Sequence, residues 1–183
     1  MEKYIALLRG INVSGKNKVS MPILKEAFEK KGFSKVKTYI NSGNVLFSSE
    51  NTNQEVLTHA CEALIAETFD LEISVIVFTV KELSGWLKEA PEWWNQEKQT
   101  IHYMIFAIPP MTVSEVVDTV GEIRPVYEKI SHQTKAIFWS APRETFNKAR
   151  WSKIASSSVN PYVTIRNANT VTKLVELSKQ MNE

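Results

Sequence analysis

One cysteine in 183 residues leaves Cys61 with no internal disulfide partner. Histidine is almost as scarce: His59, His102 and His132 stand apart, with no cysteine or carboxylate at metal-ligand spacing around them. No metal or other cofactor is therefore expected. There is no G-x-S-x-G element and no Cys–His pair with local support, so the familiar nucleophile signatures are missing. No apolar run is long enough to span a bilayer, and the N-terminus runs straight into a strand-like stretch with no secretory leader. The expectation is a cytoplasmic protein that does not enter the membrane. Net charge is only +2, less than a broad duplex-DNA binder usually carries.

Apolar residues make up 43% of the chain, enough for a real core. Charge is near balance but unevenly spread: residues 1–40 carry +6, residues 41–97 carry −8 and residues 98–183 carry +4. Basic ends flank an acidic middle, an arrangement that suits either an anionic partner or the chain's own middle.

Periodicity sets the order of elements. In the first half a strand is expected over 3–9 and a helix over 20–32, with Ser20 as N-cap and Gly32 as stop. Strands at 36–40 and 44–48 follow, joined by Asn41-Ser42-Gly43 as a hairpin. A helix over 53–68 places Leu57, Cys61, Leu64 and Ile65 on one stripe, which makes Cys61 a small buried apolar group. A strand over 73–78 completes β-α-β-β-α-β, the ferredoxin-like order. A capping box, Thr79 to Glu82, opens a short linking helix.

Pro91 to Gln99 is irregular and places a boundary at residue 97, giving subdomains 1–97 and 98–183. Beyond it the order repeats: a strand over 101–108, a helix over 113–121, a hairpin from strands 126–130 and 136–140, a helical region over 143–156, a strand over 162–165 and an added C-terminal helix over 167–179. The fold class is α+β, two ferredoxin-like subdomains in tandem. Strands such as Ile5–Leu8 and Val75–Phe78 are apolar on both alternating faces, so both faces are expected to be covered, by the other half or by an oligomer partner. Trp93 and Trp94, with Trp86 nearby, read as cover for the edge of a small core or as an aromatic patch for a partner.

The chain is organised around the loop Arg9–Asn17, which follows the first strand. Gly10 to Lys16 fits G-x-x-x-x-G-K, but Asn17 stands where a Mg²⁺-binding hydroxyl belongs, and Pro22 puts the helix start too late to meet the glycines. A nucleotide-hydrolase loop is therefore disfavoured. In the ferredoxin-like order the first and third strands are antiparallel neighbours, so the loop and the 41–44 hairpin share one sheet edge. Arg9, Asn12, Lys16 and Asn17 would then neighbour Asn41, Ser42 and Asn44. Amides and cations so grouped can hold an anion, or the asparagines can brace turns. Arg166, Asn167, Asn169, Thr170 and Lys173 form a second cluster where a strand enters a helix. It can act as an anion site at the helix N-terminus or as a plain cap.

Leu8-Arg9-Gly10-Ile11-Asn12-Val13, Thr38-Tyr39-Ile40-Asn41-Ser42-Gly43-Asn44-Val45, Ser152-Lys153 and Arg166-Asn167-Ala168-Asn169-Thr170-Val171-Thr172-Lys173-Leu174 resemble a bacterial family, the domain-of-unknown-function family sixteen-ninety-seven. The resemblance covers nearly the whole chain and implies two linked α+β subdomains with no assigned activity. Ser14 stands where that family often has Gly, Ala168 where it often has Trp, and Asn41 where it often has Gln.

The expected function is a binding module for a phosphate- or carboxylate-bearing ligand, a nucleotide or nucleic acid among them. The alternatives are an enzyme acting on a small polar anionic substrate, with Arg9 or Lys16 stabilising negative charge, and a protein-interaction module built on the tryptophans.

Overall fold

The computed structural model describes residues 1–182. The chain divides into two compact units. The first comprises Met1–Ser84 and the last stretch from Leu174, and the second is Gly85–Lys173.

The first unit opens with β1 (Glu2–Leu8), α1 (Met21–Lys30), β2 (Ser34–Tyr39) and β3 (Asn44–Ser49). It continues with α2 (Gln54–Phe69), β4 (Val75–Thr79) and the start of α3 (Val80–Lys88). The sheet order is β2-β3-β1-β4, all antiparallel, as the ferredoxin-like reading requires. Leu57, Cys61, Leu64 and Ile65 form the buried stripe of α2. They pack with Leu24 and Phe28 of α1 on the sheet face that carries Tyr4, Val45 and Phe47. Burial raises the Cys61 thiol beyond the physiological range, which leaves an inert apolar filler. Ile5, Leu7 and Leu46, on the other face, are buried too. Asn53 caps α2 through the amides of Glu55 and Val56, whereas Ser20 precedes α1 without a side-chain cap bond. Lys3 and Lys37 donate to the carbonyls of Ser178 and Gln180, which ties the chain's last stretch to this unit.

The second unit contains β5 (Thr100–Ala107), α4 (Val113–Val120), β6 (Lys129–His132), β7 (Ala136–Pro142) and β8 (Val163–Asn167). Helix α5 (Ala168–Lys179) follows. The order β6-β7-β5-β8 repeats that of the first sheet. Residue 97 lies inside this unit: the Trp94 indole donates to the Tyr103 carbonyl at 3.0 Å, and its ring meets Phe138 edge-on at 5.0 Å.

Two local expectations are corrected here. Residues 126–128 are not strand, because Pro125 sits in a turn closed by the Tyr127 amide on the Arg124 carbonyl. Residues 143–156 form two 3₁₀ segments, Arg143–Lys148 and Trp151–Ser156, rather than one α-helix. The break between the two segments falls where the buried carboxylate of Glu128 claims backbone amides. The carboxylate accepts from the amides of Arg124, Arg150 and Trp151 and from the Trp139 indole at 2.7–3.0 Å. Amides drawn to a carboxylate cannot continue an i→i−4 ladder, and Ala149 turns extended between the segments. Among the described residues no helix is long and apolar enough to cross a membrane.

Candidate functional site

The Arg9–Lys18 loop is built by two apolar pegs and two asparagines. Ile11 and Val19 are buried and anchor its ends in the first core. Along the loop the backbone turns repeatedly through the left-handed region, at Gly10, Asn12, Ser14, Gly15 and Asn17. Asparagine tolerates that region better than most residues. Ser14, which stands in place of a glycine in the resemblance noted above, adopts φ 50° all the same.

The asparagine side chains are spent on the loop itself. The Asn12 amide donates to the carbonyls of Val19 and Asn41, both at 2.9 Å, and its oxygen accepts from the Val19 amide. The Asn17 amide donates to the Gly10 carbonyl at 3.0 Å. A tight turn closes with the Lys16 amide on the Val13 carbonyl at 2.9 Å. On the neighbouring hairpin, Asn44 is buried and donates to the Tyr39 carbonyl and the Ser42 hydroxyl. The Asn12–Asn41 bond and the Leu8 amide on the Gly43 carbonyl therefore join the start of the loop to the hairpin tip, with the amides bracing it. Helix α1 begins only at Met21. Its N-terminal amides thus lie beyond Lys16 and Asn17, which removes the nucleotide-hydrolase geometry.

The loop's outward chemistry is cationic. Lys16 and Lys18 are exposed, Arg9 is partly exposed, and residues 9–19 contain no acid. Lys18 went unnoticed in the sequence. Its signal was the i, i+2 repeat of lysine in a loop without carboxylates.

The second cluster lies in the second unit, at the β8–α5 junction. Arg166 is buried, and its Nη1 donates to the Thr164 hydroxyl and the Ile165 carbonyl. Burial lowers its pKa to about 10. The Asn167 side chain accepts from the Asn169 amide at 2.8 Å, as a helix cap does. Thr170 is buried, Asn169 is exposed and Lys173 is partly exposed one turn on.

Two cavities lie away from these loops. One of about 250 Å³ runs between α1 and α2, lined by Ile23, Glu26, Lys30, Leu64 and Glu67. The other, of about 100 Å³, lies in the second unit beside His102, Lys129 and Ser140. Sequence order hid this last group, because His102 and Ser140 are 38 residues apart and meet only through β5–β7 pairing.

No curated protein matches this chain. Among solved structures it is similar to a conserved bacterial protein, SP0830 from Streptococcus pneumoniae. The match covers 100% of this chain and 99% of that one, at 29% identity and a TM-score of 0.85. The model of the family described as "Protein of unknown function (DUF1697)" matches residues 1–138. With three-quarters of its length inside that match and its whole fold shared with a bacterial protein, this chain belongs to the DUF1697 family.

Proposed function

We propose that the protein is a cytoplasmic binding module for a phosphate- or carboxylate-bearing ligand, nucleotides and nucleic acids included, received at the Arg9–Lys18 loop. The observation that carries this reading is the pairing of a braced backbone with unbalanced positive charge. Asn12 and Asn17 hold the loop from within, so Lys16 and Lys18 are presented from a fixed platform. Preordering of this kind lowers the entropy lost when an anion is bound. Arg9 adds a guanidinium suited to forked contacts with phosphate or carboxylate oxygens. Asn41, bonded to Asn12, and its neighbour Ser42 border the loop.

The test is a thermal-shift panel of nucleoside triphosphates, pyrophosphate, dicarboxylates and short oligonucleotides on the wild type and on a Lys16→Glu/Lys18→Glu variant. One ligand class should stabilise the wild type, with a shift that falls as salt rises and vanishes in the variant. No shift at millimolar ligand, or equal shifts in both proteins, would sink the proposal.

A further inference from the structure

Across the second sheet, Lys129, Ser140 and His102 occupy one row. Lys129 pairs with Ser140 between β6 and β7, and Ser140 pairs with His102 between β7 and β5. Side chains of directly paired residues project from the same face. His102 Nδ1 lies 2.6 Å from the Ser140 hydroxyl, and Nε2 lies 3.1 Å from the Glu97 carbonyl. A carbonyl can only accept, so Nε2 carries the ring's proton and donates. In the neutral ring Nδ1 is then bare, and the serine must donate to it. The tautomer is thus fixed by an outer partner, and the hydroxyl proton points at a base.

The surroundings suit that pair. Burial lowers the His102 pKa, and Lys129 lowers it further; the Glu97 carbonyl and the Glu97 charge oppose them. The Glu97 carboxylate is itself held by the Thr100 hydroxyl at 3.1 Å. His102 and Ser140 are only 6% and 3% exposed. Both nevertheless line the cavity of about 100 Å³, together with Lys129, Trp93 and Val126. Val126 is 83% exposed and forms an apolar lip.

We propose that Ser140 is a nucleophile and His102 its general base, in a site that takes short-chain carboxylic esters. This site lies in the second unit and is independent of the cationic loop. A hydroxyl aligned on a base, with the base oriented by a third group, is the arrangement that nucleophilic catalysis requires. Ser140 Oγ bonds to the ester carbonyl carbon while its proton passes to His102 Nδ1. The carbonyl electron pair moves to oxygen, where the Lys129 ammonium offsets the charge. The carbon–alkoxy bond then breaks, and Nδ1 returns the proton to the departing alkoxide as alcohol. Water attacks the acyl-serine, gives a proton to Nδ1 and releases the carboxylic acid as Ser140 regains its hydrogen. Ester and water become acid and alcohol. The small cavity limits the acyl group to a few carbons, and the lip at Val126 and Trp93 leaves the alcohol portion outside.

The experiment treats the full chain with methanesulfonyl fluoride, a serine reagent small enough for the cavity, and locates the adduct by peptide mapping. A single adduct on Ser140 is expected. Its formation should slow by on the order of a hundred-fold or more in His102→Gln, the usual scale of a lost general base. The same reagent should block hydrolysis of p-nitrophenyl acetate. In the wild type the labelling rate should rise with pH and level off once His102 is neutral. No adduct, an adduct elsewhere, or equal labelling in His102→Gln would overturn the proposal. So would a rate that keeps climbing tenfold per pH unit in alkali, which marks ionisation of an unassisted alcohol. The wild-type map and pH profile decide the matter even if a variant fails to fold.

Discussion

The side-chain amide of Asn12 donates to the backbone carbonyl of Asn41 at 2.9 Å, across 29 residues of chain. That bond fastens the first loop to the tip of the β2–β3 hairpin. Asn12 also spans its own loop, exchanging two bonds with the Val19 backbone. One side chain thus fixes both the loop's internal shape and its place on the sheet edge.

Asn12→Ala should therefore destabilise the first unit by about 2–4 kcal/mol, from three lost hydrogen bonds and a left-handed alanine. Asn12→Gly removes the same bonds but tolerates φ 54°. It should recover only about 1 kcal/mol of that loss. Urea unfolding of both variants checks the division; a fully stable Asn12→Gly would show that the bonds contribute nothing.

Two glycines nearby make opposite demands. Both Gly10 and Gly43 have positive φ, but a Cβ on Gly10 meets nothing, whereas one on Gly43 falls 2.8 Å from Leu8 Cβ and Ile11 Cδ1. Gly10→Ala should cost about 1 kcal/mol, from backbone strain alone. Gly43→Ala adds overpacking against a buried peg of the loop, for a total of about 3–5 kcal/mol. Denaturation midpoints of the two alanine variants should differ accordingly; equal losses would mean that the hairpin yields freely.

Short-range physics explains which parts of this fold were legible in sequence. The α2 stripe of Leu57, Cys61, Leu64 and Ile65 is an unbroken 3.6-residue pattern, and all four residues are buried. The topology followed from element order, and with it the meeting of the 9–17 loop and the 41–44 hairpin. What failed depended on distant partners. Nothing near residues 143–156 announces that Glu128 will claim the amides of Arg150 and Trp151 and break the helix. Nothing near Asn12, Asn17 or Asn44 tells whether an amide will face a ligand or a carbonyl of its own loop. The His102–Ser140 pair is legible only once β5 and β7 are in register.

Glu128 gives a sharp test of that long-range control. Oε1 accepts from the Arg124 and Arg150 amides, and Oε2 from the Trp151 amide and the Trp139 indole. Glutamine is nearly the same shape but has only one acceptor oxygen. Either orientation of its amide sets an NH₂ group against two N–H donors. Glu128→Gln should cost about 2–5 kcal/mol in the second unit, close to the cost of Glu128→Ala. The Trp139 indole is bonded to the carboxylate, so tryptophan emission should report the change. A Gln variant as stable as wild type would refute this account of the break between the 3₁₀ segments.

The His102 imidazole should leave a signature in the pH dependence of stability. Its pKa in the folded protein is lowered, chiefly by burial, with Glu97 opposing and Lys129 adding a small further push downward. The unfolded chain therefore takes up the proton before the folded one as pH falls. Stability rises with pH wherever the unfolded state binds more protons. The contribution is then complete above the unfolded value of about 6.5. It is lost progressively as pH drops from there toward the folded pKa, with a slope of at most about 1.4 kcal/mol per pH unit. His102→Gln has no such titration. Subtracting its urea-derived stability curve from that of the wild type, between about pH 5 and pH 8, isolates the imidazole, the one added titrating group near neutrality. The difference should be flat in the upper part of this range and fall below about pH 6.5. A flat difference throughout would mean that the folded protein protonates His102 as readily as the unfolded chain does.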